Sequence, residues 1–464
     1  MDEIRKMKRI FFIGIGGVGM SALAVILKER GFDVSGSDRG DSATTRSLAK
    51  RGIQVWIGHD ASNLGTDLDA VVFTNAVTED NPELSAARAR GIRVFERAAM
   101  LDIIAKPRYT VGVSGTHGKT TTTSMVARIF LAAGLDPSLA IGGYIREISG
   151  SGYEGKGKFF VYEACEAFES FLKLHPDLAL LTNIDADHLD YYGTFDAIKA
   201  AFAKYVSENV PAHGLVVYNR DDLPLREVID AARPSRSISV GIDTPECDFR
   251  AVDIQLFGYA TSFRVLYKGK PVGEFMLNVP GRHNVTNSLL AIAAAKLNGV
   301  PMETVQKTLA QFRNADRRFQ LKLEREDLTV IDDYAHHPSE IDATLSAAKN
   351  LSEKKHARLI AVFQPHLYSR TEFLYKDFAK SLCRADGVVL TEIYAAREKN
   401  VHNISSRIIF DEVVRMKGSE NVVFSSELRD VPEKVKTLLC GNSIIVTLGA
   451  GDVWKVSDMF GIGN

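Results

Sequence analysis

A strand-like run at residues 109–113 leads directly into Gly115-Thr-His-Gly-Lys-Thr-Thr-Thr-Thr123, and an apolar-periodic helix follows to about residue 133. This order constrains the chain more than any other feature. A strand, a glycine turn and a Lys-Thr pair at a helix start bring several backbone N–H groups to one point, where they surround phosphate oxygens. An open α/β sheet offers such a turn at the carboxyl end of a strand. The spacing is shorter than G-x-x-x-x-G-K-[ST], because Val113 stands where the first glycine would be. The mechanics still hold. Gly115, Thr116, His117, Gly118, Lys119, Thr120 and Thr121 are expected to bind a nucleoside triphosphate. Lys119 reaches the β/γ oxygens and the Thr120 hydroxyl ligates Mg²⁺.

The N-terminal part carries a second glycine loop. Residues 9–13 read as a buried strand, Gly14-Ile-Gly-Gly-Val-Gly19 follows, and a helix at residues 20–30 leads to a strand ending at Asp38. Gly14, Gly16, Gly17 and Gly19 fit G-x-G-x-x-G, and Asp38 stands about 20 residues on, where a ribose-binding acid is expected. That pattern alone suggests NAD, but the sequence offers no hydride-transfer partner. A diphosphate-containing ligand is the expectation. Strand-like runs at residues 54–57, 70–74 and 93–95 complete a first unit that closes near Lys106-Pro107.

Polar residues collect after other apolar runs. Residues 159–162 end at Glu163, with Cys165 and Glu166 beyond, and residues 178–181 end in Thr182-Asn-Ile-Asp-Ala-Asp-His188. Ligands in open α/β sheets sit at such strand ends. Glu163, Glu166, Asp185, Asp187 and His188 are therefore candidate metal or substrate groups, with Glu163 a plausible oxygen ligand for Mg²⁺. Residues 237–278 look like paired strands and residues 281–297 return to helix. A third unit starts near Asn314. Its strands at 329–331 and 358–363 end in Asp332-Asp-Tyr-Ala-His-His-Pro338 and Gln364-Pro-His-Leu-Tyr-Ser-Arg-Thr371. Two polar blocks at successive strand ends suggest one shared face, where Tyr334, His366 and Arg370 could grip a carboxylate or phosphate.

The length of 464 residues suggests about three domains. A net charge of -1 shows no footprint of bulk nucleic-acid or membrane attraction. No apolar run approaches the ~20 residues of a membrane span. The charged opening Met1-Asp-Glu-Ile-Arg-Lys6 does not read as a signal peptide. Cys165, Cys247, Cys383 and Cys440 form no CxxC pair, which suits reduced thiols in a cytoplasmic protein.

Taken together, these motifs resemble the Mur ligases of bacterial cell-wall synthesis, and most closely the members that add L-alanine. The resemblance runs over essentially the whole chain. It includes Glu163-Ala-Cys-Glu166, Gly281-Arg-His-Asn284, Arg317-Arg-Phe-Gln320 and Gly449-Ala-Gly-Asp452 besides the blocks above. It implies an α/β protein of three domains. Residues 1–107 form a Rossmann-like domain for a UDP-sugar, with Asp38 and His59 at the uridine-nucleotide end. Residues 108–313 form the ATP-binding domain, a parallel sheet with a small β-region. Residues 314–464 form a Rossmann-like closing domain for the amino acid. The implied substrates are ATP, UDP-N-acetylmuramic acid and L-alanine, joined through an acyl phosphate, with two Mg²⁺ ions. Thr120, Glu163 and His188 are the implied metal ligands, the last two holding the second ion. Asn284 is implied at adenine, Asp333 near the ribose, and Tyr334, His366 and Arg370 around the alanine. Lys119 completes the catalytic set. A monomer or weak homodimer is implied. Other Mur ligases carry a carbamylated lysine after the Asp-His block; none is assigned to Lys199 or Lys204. A relative that adds a preformed peptide in cell-wall recycling is the nearest alternative.

Overall fold

The computed structural model describes Ile4, residues 7–396 and residues 398–461. The rest of the charged opening segment lies outside them. The first sheet holds β1 (Arg9–Ile13), β2 (Asp33–Asp38), β3 (Gln54–Ile57), β4 (Ala70–Phe73) and β5 (Arg93–Glu96), in the order β3-β2-β1-β4-β5. Every pairing is parallel. The sequence Arg-Ile-Phe-Phe-Ile of β1 is buried at its last four positions. Such continuous apolar runs mark strands covered on both faces. The order reverses at β1, so the loop after it opens into a crevice at the switch point. There α1 (Val18–Glu29) begins, with Gly17 as its N-cap.

The second sheet has ten strands. They are β6 (Tyr109–Ser114), β7 (Ser138–Ile145), β8 (Gly150–Tyr153), β9 (Phe159–Glu163), β10 (Leu178–Leu181), β11 (Leu215–Asn219), β12 (Ser237–Gly241), β13 (Phe249–Phe257), β14 (Ala260–Tyr267) and β15 (Lys270–Leu277). Their order is β15-β14-β13-β12-β11-β10-β6-β9-β7-β8. Pairing is parallel from β7 through β13, and antiparallel at β7/β8, β13/β14 and β14/β15. The β13 burial pattern alternates toward its end, as expected where an antiparallel sheet has one wet face. The central strand β6 lies between β9 and β10, so the phosphate loop sits at a second switch point. After it comes α2 (Lys119–Ala132), which packs against α3 (Arg282–Leu297).

The first two sheets are tied into one core. Residues such as Leu23, Ile26 and Ile104 belong to the same buried cluster as Phe160, Tyr162 and Phe202. The covering layer comes from α1, which lies against β7 and β8. Ser151 Oγ donates to the Val18 carbonyl at 3.1 Å.

The third sheet is separate. It holds β16 (Gln320–Glu324), β17 (Leu328–Asp333), β18 (Arg358–Phe363), β19 (Gly387–Thr391), β20 (Val422–Ser425) and β21 (Ser443–Leu448), in the order β16-β17-β21-β18-β19-β20. Only β16 is antiparallel to its neighbour. Its own apolar clusters lie on its two faces. The polar block at residues 332–338 begins at the end of β17 and that at 364–371 follows β18, and they run into α4 (Pro338–Lys355) and α5 (Tyr368–Leu382). Among the described residues no helix is long and apolar enough to cross a membrane. All four cysteines are free thiols.

Candidate active site

The loop after β6 needs glycine at both ends. Gly115 has φ +131 and Gly118 has φ +82, and a Cβ at Gly118 would lie 2.5 Å from Asn287 Oδ1 on α3. With no side chains there, the backbone turns sharply and α3 closes over it. The turn is held from β10. Thr116 N donates to the Asn183 carbonyl at 3.0 Å, His117 N donates to Asn183 Oδ1 at 2.9 Å, and Thr182 Oγ1 donates to the His117 carbonyl at 2.6 Å.

Lys119 turns back over this loop. Its ammonium donates to the Gly115 carbonyl at 2.5 Å, the Thr116 carbonyl at 2.8 Å and Glu166 Oε2 at 2.8 Å. Burial pulls its pKa down, and Glu166 more than reverses that. The lysine is therefore a fixed cation at the loop's mouth. Glu166 is 2% exposed, so its charge is held against the Lys119 ammonium away from solvent.

Thr120 and Glu163 meet across the sheet. Thr120 Oγ1 lies 3.2 Å from Glu163 Oε2, and Glu163 Oε1 accepts from Gly142 N at 2.6 Å. Adjacent oxygens on Mg²⁺ at ~2.1 Å stand about 3 Å apart, so this pair fits one edge of such an ion. Burial raises the Glu163 pKa, a cost that a cation would offset. His188 is placed differently. Its Nε2 lies 3.7 Å from Glu166 Oε1 and 4.0 Å from Asp187 Oδ2. Glu163 is thus brought to Thr120, and His188 to the Lys119–Glu166 pair.

A cavity of about 630 Å³ runs from this loop between α3 and the third sheet. At one end lie His283 and Asn284. The Asn284 amide donates to the Pro280 carbonyl at 2.7 Å, and burial lowers the His283 pKa to about 4. Asp333 also lines the cavity, and accepts from Phe319 N at 2.7 Å and Ala335 N at 2.8 Å. Burial raises its pKa to about 6.

The third sheet meets the loop through charges. His117 Nε2 lies 3.0 Å from Asp185 Oδ2, and its Nδ1 lies 3.3 Å from Glu340 Oε1 on α4. Burial pulls the His117 pKa down, but hydrogen bonds to these two carboxylates lift it to about 9. The ring is an imidazolium clamped between two units. Ser339 also donates to Asp185. Farther along, Arg370 Nη2 donates to Asp187 Oδ1 at 2.7 Å with both side chains at most 10% exposed. Arg370 Nη1 lies 3.2 Å from His366 Nδ1. Arg317 and Arg318 lie over the Tyr334 ring at 4.9 and 5.3 Å. The Tyr334 ring lies 5.3 Å from that of His336, which lies 5.8 Å from that of His366, so Tyr334, His366 and Arg370 are gathered in one place.

The N-terminal candidates are tied internally. Gly16 N donates to Asp38 Oδ2 at 2.8 Å, so Asp38 braces the glycine loop. His59 Nδ1 lies 2.9 Å from Glu83 Oε2 and 3.0 Å from Ser37 Oγ, and Ser37 Oγ donates to the same carboxylate at 2.6 Å.

Sequence reading missed Glu340 and Asn287. Glu340 stands at the third position of a helix that opens with proline, where a glutamate normally reads as a cap. It does cap: His336 N donates to its Oε2 at 3.0 Å. Its second oxygen does the further work. Asn287 had no signal, because only folding brings α3 over the loop.

The fold and site define a phosphate-loop enzyme whose third α/β unit docks on the nucleotide-binding unit. Three family models match in order: "Mur ligase family, catalytic domain" at residues 9–109, "Mur ligase middle domain" at residues 113–295 and "Mur ligase, glutamate ligase domain" at residues 317–451. The chain belongs to the Mur ligase family. It is 42% identical over 453 residues to a UDP-N-acetylmuramate–L-alanine ligase of Trichlorobacter lovleyi, covering 97% of this chain and 98% of that one. A ligase of the same name from Geobacter sp. strain M21 is 43% identical over 454 residues, covering 98% and 97%. Among solved structures, a UDP-N-acetylmuramate–alanine ligase from Thermotoga maritima superposes with TM-score 0.82 at 31% identity over 98% of both chains. A murein peptide ligase from Psychrobacter arcticus gives 0.72 at 25% identity, covering 97% and 98%.

Proposed function

We propose that this chain joins L-alanine to the carboxylate of UDP-N-acetylmuramic acid at the expense of ATP, in peptidoglycan precursor synthesis. The observation that carries the reading is the docking of two dissimilar faces. Lys119, Thr120 and Glu163 stand on one side, and Tyr334, His366 and Arg370 on the other, with Asp187 paired to Arg370 between them. Relatives of near-equal length that carry the alanine-ligase name support a single amino acid over a preformed peptide.

The chemistry follows from charge. A carboxylate is a poor acyl donor, because oxide would have to leave. Transfer of the γ-phosphoryl group to that carboxylate creates an acyl phosphate with a workable leaving group. Two anions must first be brought together, so neutralisation and positioning dominate. Lys119 exchanges Glu166 for the phosphate tail and holds it against the loop's N–H groups. Thr120 and Glu163 would hold one Mg²⁺, and His188 with a carboxylate neighbour a second; bound there, the ions supply charge neutralisation and Lewis acidity. Asn284 orients the base and Asp333 the ribose region. Residues 1–107 hold the UDP end over Gly14, Gly16, Gly17 and Gly19, residues 108–313 hold ATP, and residues 314–464 bring the amino acid. Arg370 and Tyr334 grip its carboxylate beside His366. Free thiols suit the cytoplasm, where ATP is available.

The test is ADP formation by the purified protein with every combination of the substrates. ADP should appear only with both UDP-N-acetylmuramic acid and an amino acid, and fastest with L-alanine. ADP formation at the same rate without the sugar nucleotide would rule the reading out.

A further inference from the structure

The site as described has no group for one necessary event. An amino acid arrives as an ammonium ion, and an ammonium nitrogen has no lone pair with which to attack. We propose that His336 Nε2 takes that proton and that Glu340 holds the ring for the task; this rests on the acyl-phosphate reading above.

The tautomer carries the argument. His336 Nδ1 lies 3.0 Å from the Tyr334 carbonyl and 3.2 Å from Glu340 Oε2. Both neighbours can only accept, so Nδ1 carries the hydrogen. A neutral imidazole then has its lone pair on Nε2. Among the described residues no hydrogen bond reaches that atom. The adjacent His337 is placed differently. Its Nδ1 lies 3.4 Å from Ser339 N and 3.5 Å from Asp185 Oδ2, and its Nε2 is buried without a partner. Of the two neighbouring histidines, only His336 has a side chain open enough to meet a substrate, at 18% exposure against 4%.

Its place fits the role. The ring stands edge-on to Tyr334 at 5.3 Å and to His366 at 5.8 Å, inside the group assigned to the amino acid. The side chain is 18% exposed, which leaves a route for the proton to reach solvent. Burial lowers the ring's pKa to about 4, with Arg370 adding and Glu340 and Asp187 opposing. The base form is therefore the resident form at neutral pH. Once protonated, the ring has a carboxylate already in contact through Nδ1–H. The same Glu340 reaches His117 in the phosphate loop through its other oxygen, which ties the base's support to the nucleotide site.

The step balances. An N–H bond of the ammonium breaks, Nε2–H forms, and the electron pair stays on the amine nitrogen. That pair forms the C–N bond at the acyl phosphate carbonyl. The tetrahedral adduct collapses with cleavage of the bond to the phosphate oxygen, which leaves with its electrons and takes the second amine proton as hydrogen phosphate. His336 then returns its proton to solvent.

Hydroxylamine gives the test, because it is already unprotonated at neutral pH and traps acyl phosphates as hydroxamates without a base. The full chain is assayed with Mg²⁺-ATP and UDP-N-acetylmuramic acid, with either L-alanine or hydroxylamine as acceptor. His336→Gln should slow the alanine reaction about 100-fold or more, while hydroxamate formation stays within about threefold. His336→Asn should show the same split and decides the matter if His336→Gln fails to fold, while Glu340→Gln, which also frees His117 in the phosphate loop, should slow both reactions, the alanine one more. Equal loss with both acceptors, or no loss with either, overturns the assignment while the ligase reading stands. Absence of hydroxamate from the unaltered chain overturns the acyl-phosphate reading and this inference with it.

Discussion

Removing the charge of Glu340 should loosen the grip on the proton of His117. The ring stands at about 9 against an ordinary 6.5, with Asp185 and Glu340 supplying the lift against burial. At 1.36 kcal/mol per unit, that difference corresponds to about 3 kcal/mol. Burial, the largest cause, opposes this shift, so the two carboxylates together supply more than that difference, and Nδ1 and Nε2 each face one of them at 3.3 and 3.0 Å. Glu340→Gln should therefore lower the proton affinity of His117 by at least about tenfold. The sign for stability follows from a raised histidine. The contribution is full below pH 6.5 and fades as pH rises through about 9. The docking of the third unit on the phosphate loop should weaken over that window in the original chain and over a lower window in the variant. Histidine-selective NMR titration reads the ring directly, and thermal melts across the same pH range read the docking. A His117 ring that titrates at its ordinary value, or that ignores the substitution, would refute the clamp.

Lys119→Ala should cut turnover by about 10²–10³ and strand the buried Glu166 carboxylate; steady-state kinetics and circular dichroism separate the lost chemistry from lost folding. Glu163→Gln should raise the Mg²⁺ concentration needed for half-maximal rate by about tenfold or more, read by metal titration of activity. Asn284→Ala removes the donor to the Pro280 carbonyl, 2.7 Å away, a loss of about 1–3 kcal/mol; the KM for ATP should rise while that for L-alanine holds.

Much of this was legible in the residues. Gly14, Gly115 and Gln364 stand directly after largely apolar runs, Glu163 and Asp332 at the ends of two more, and such runs in an α/β order leave one choice of sheet. The polar blocks follow those runs, so their gathering at strand ends could be read as well. What stayed hidden depends on pairs distant in sequence. β7, β8 and β16 carry too many polar or glycine positions to read as strands. The fusion of the first two cores comes from α1 lying on β8, a contact no periodicity encodes. The pairing of Thr120 with Glu163, and of His188 with Glu166, is decided by how far each backbone turns past its strand. Glu340 was concealed because capping its own helix and clamping His117 use the same carboxylate.

The central claim is that the sugar's carboxylate becomes an acyl phosphate. It can be followed atom by atom with UDP-N-acetylmuramic acid labelled with ¹⁸O in that carboxylate. Turnover with ATP and L-alanine should deliver one labelled oxygen to each inorganic phosphate released, seen by ³¹P NMR. Unlabelled phosphate accompanying full amide formation would contradict it.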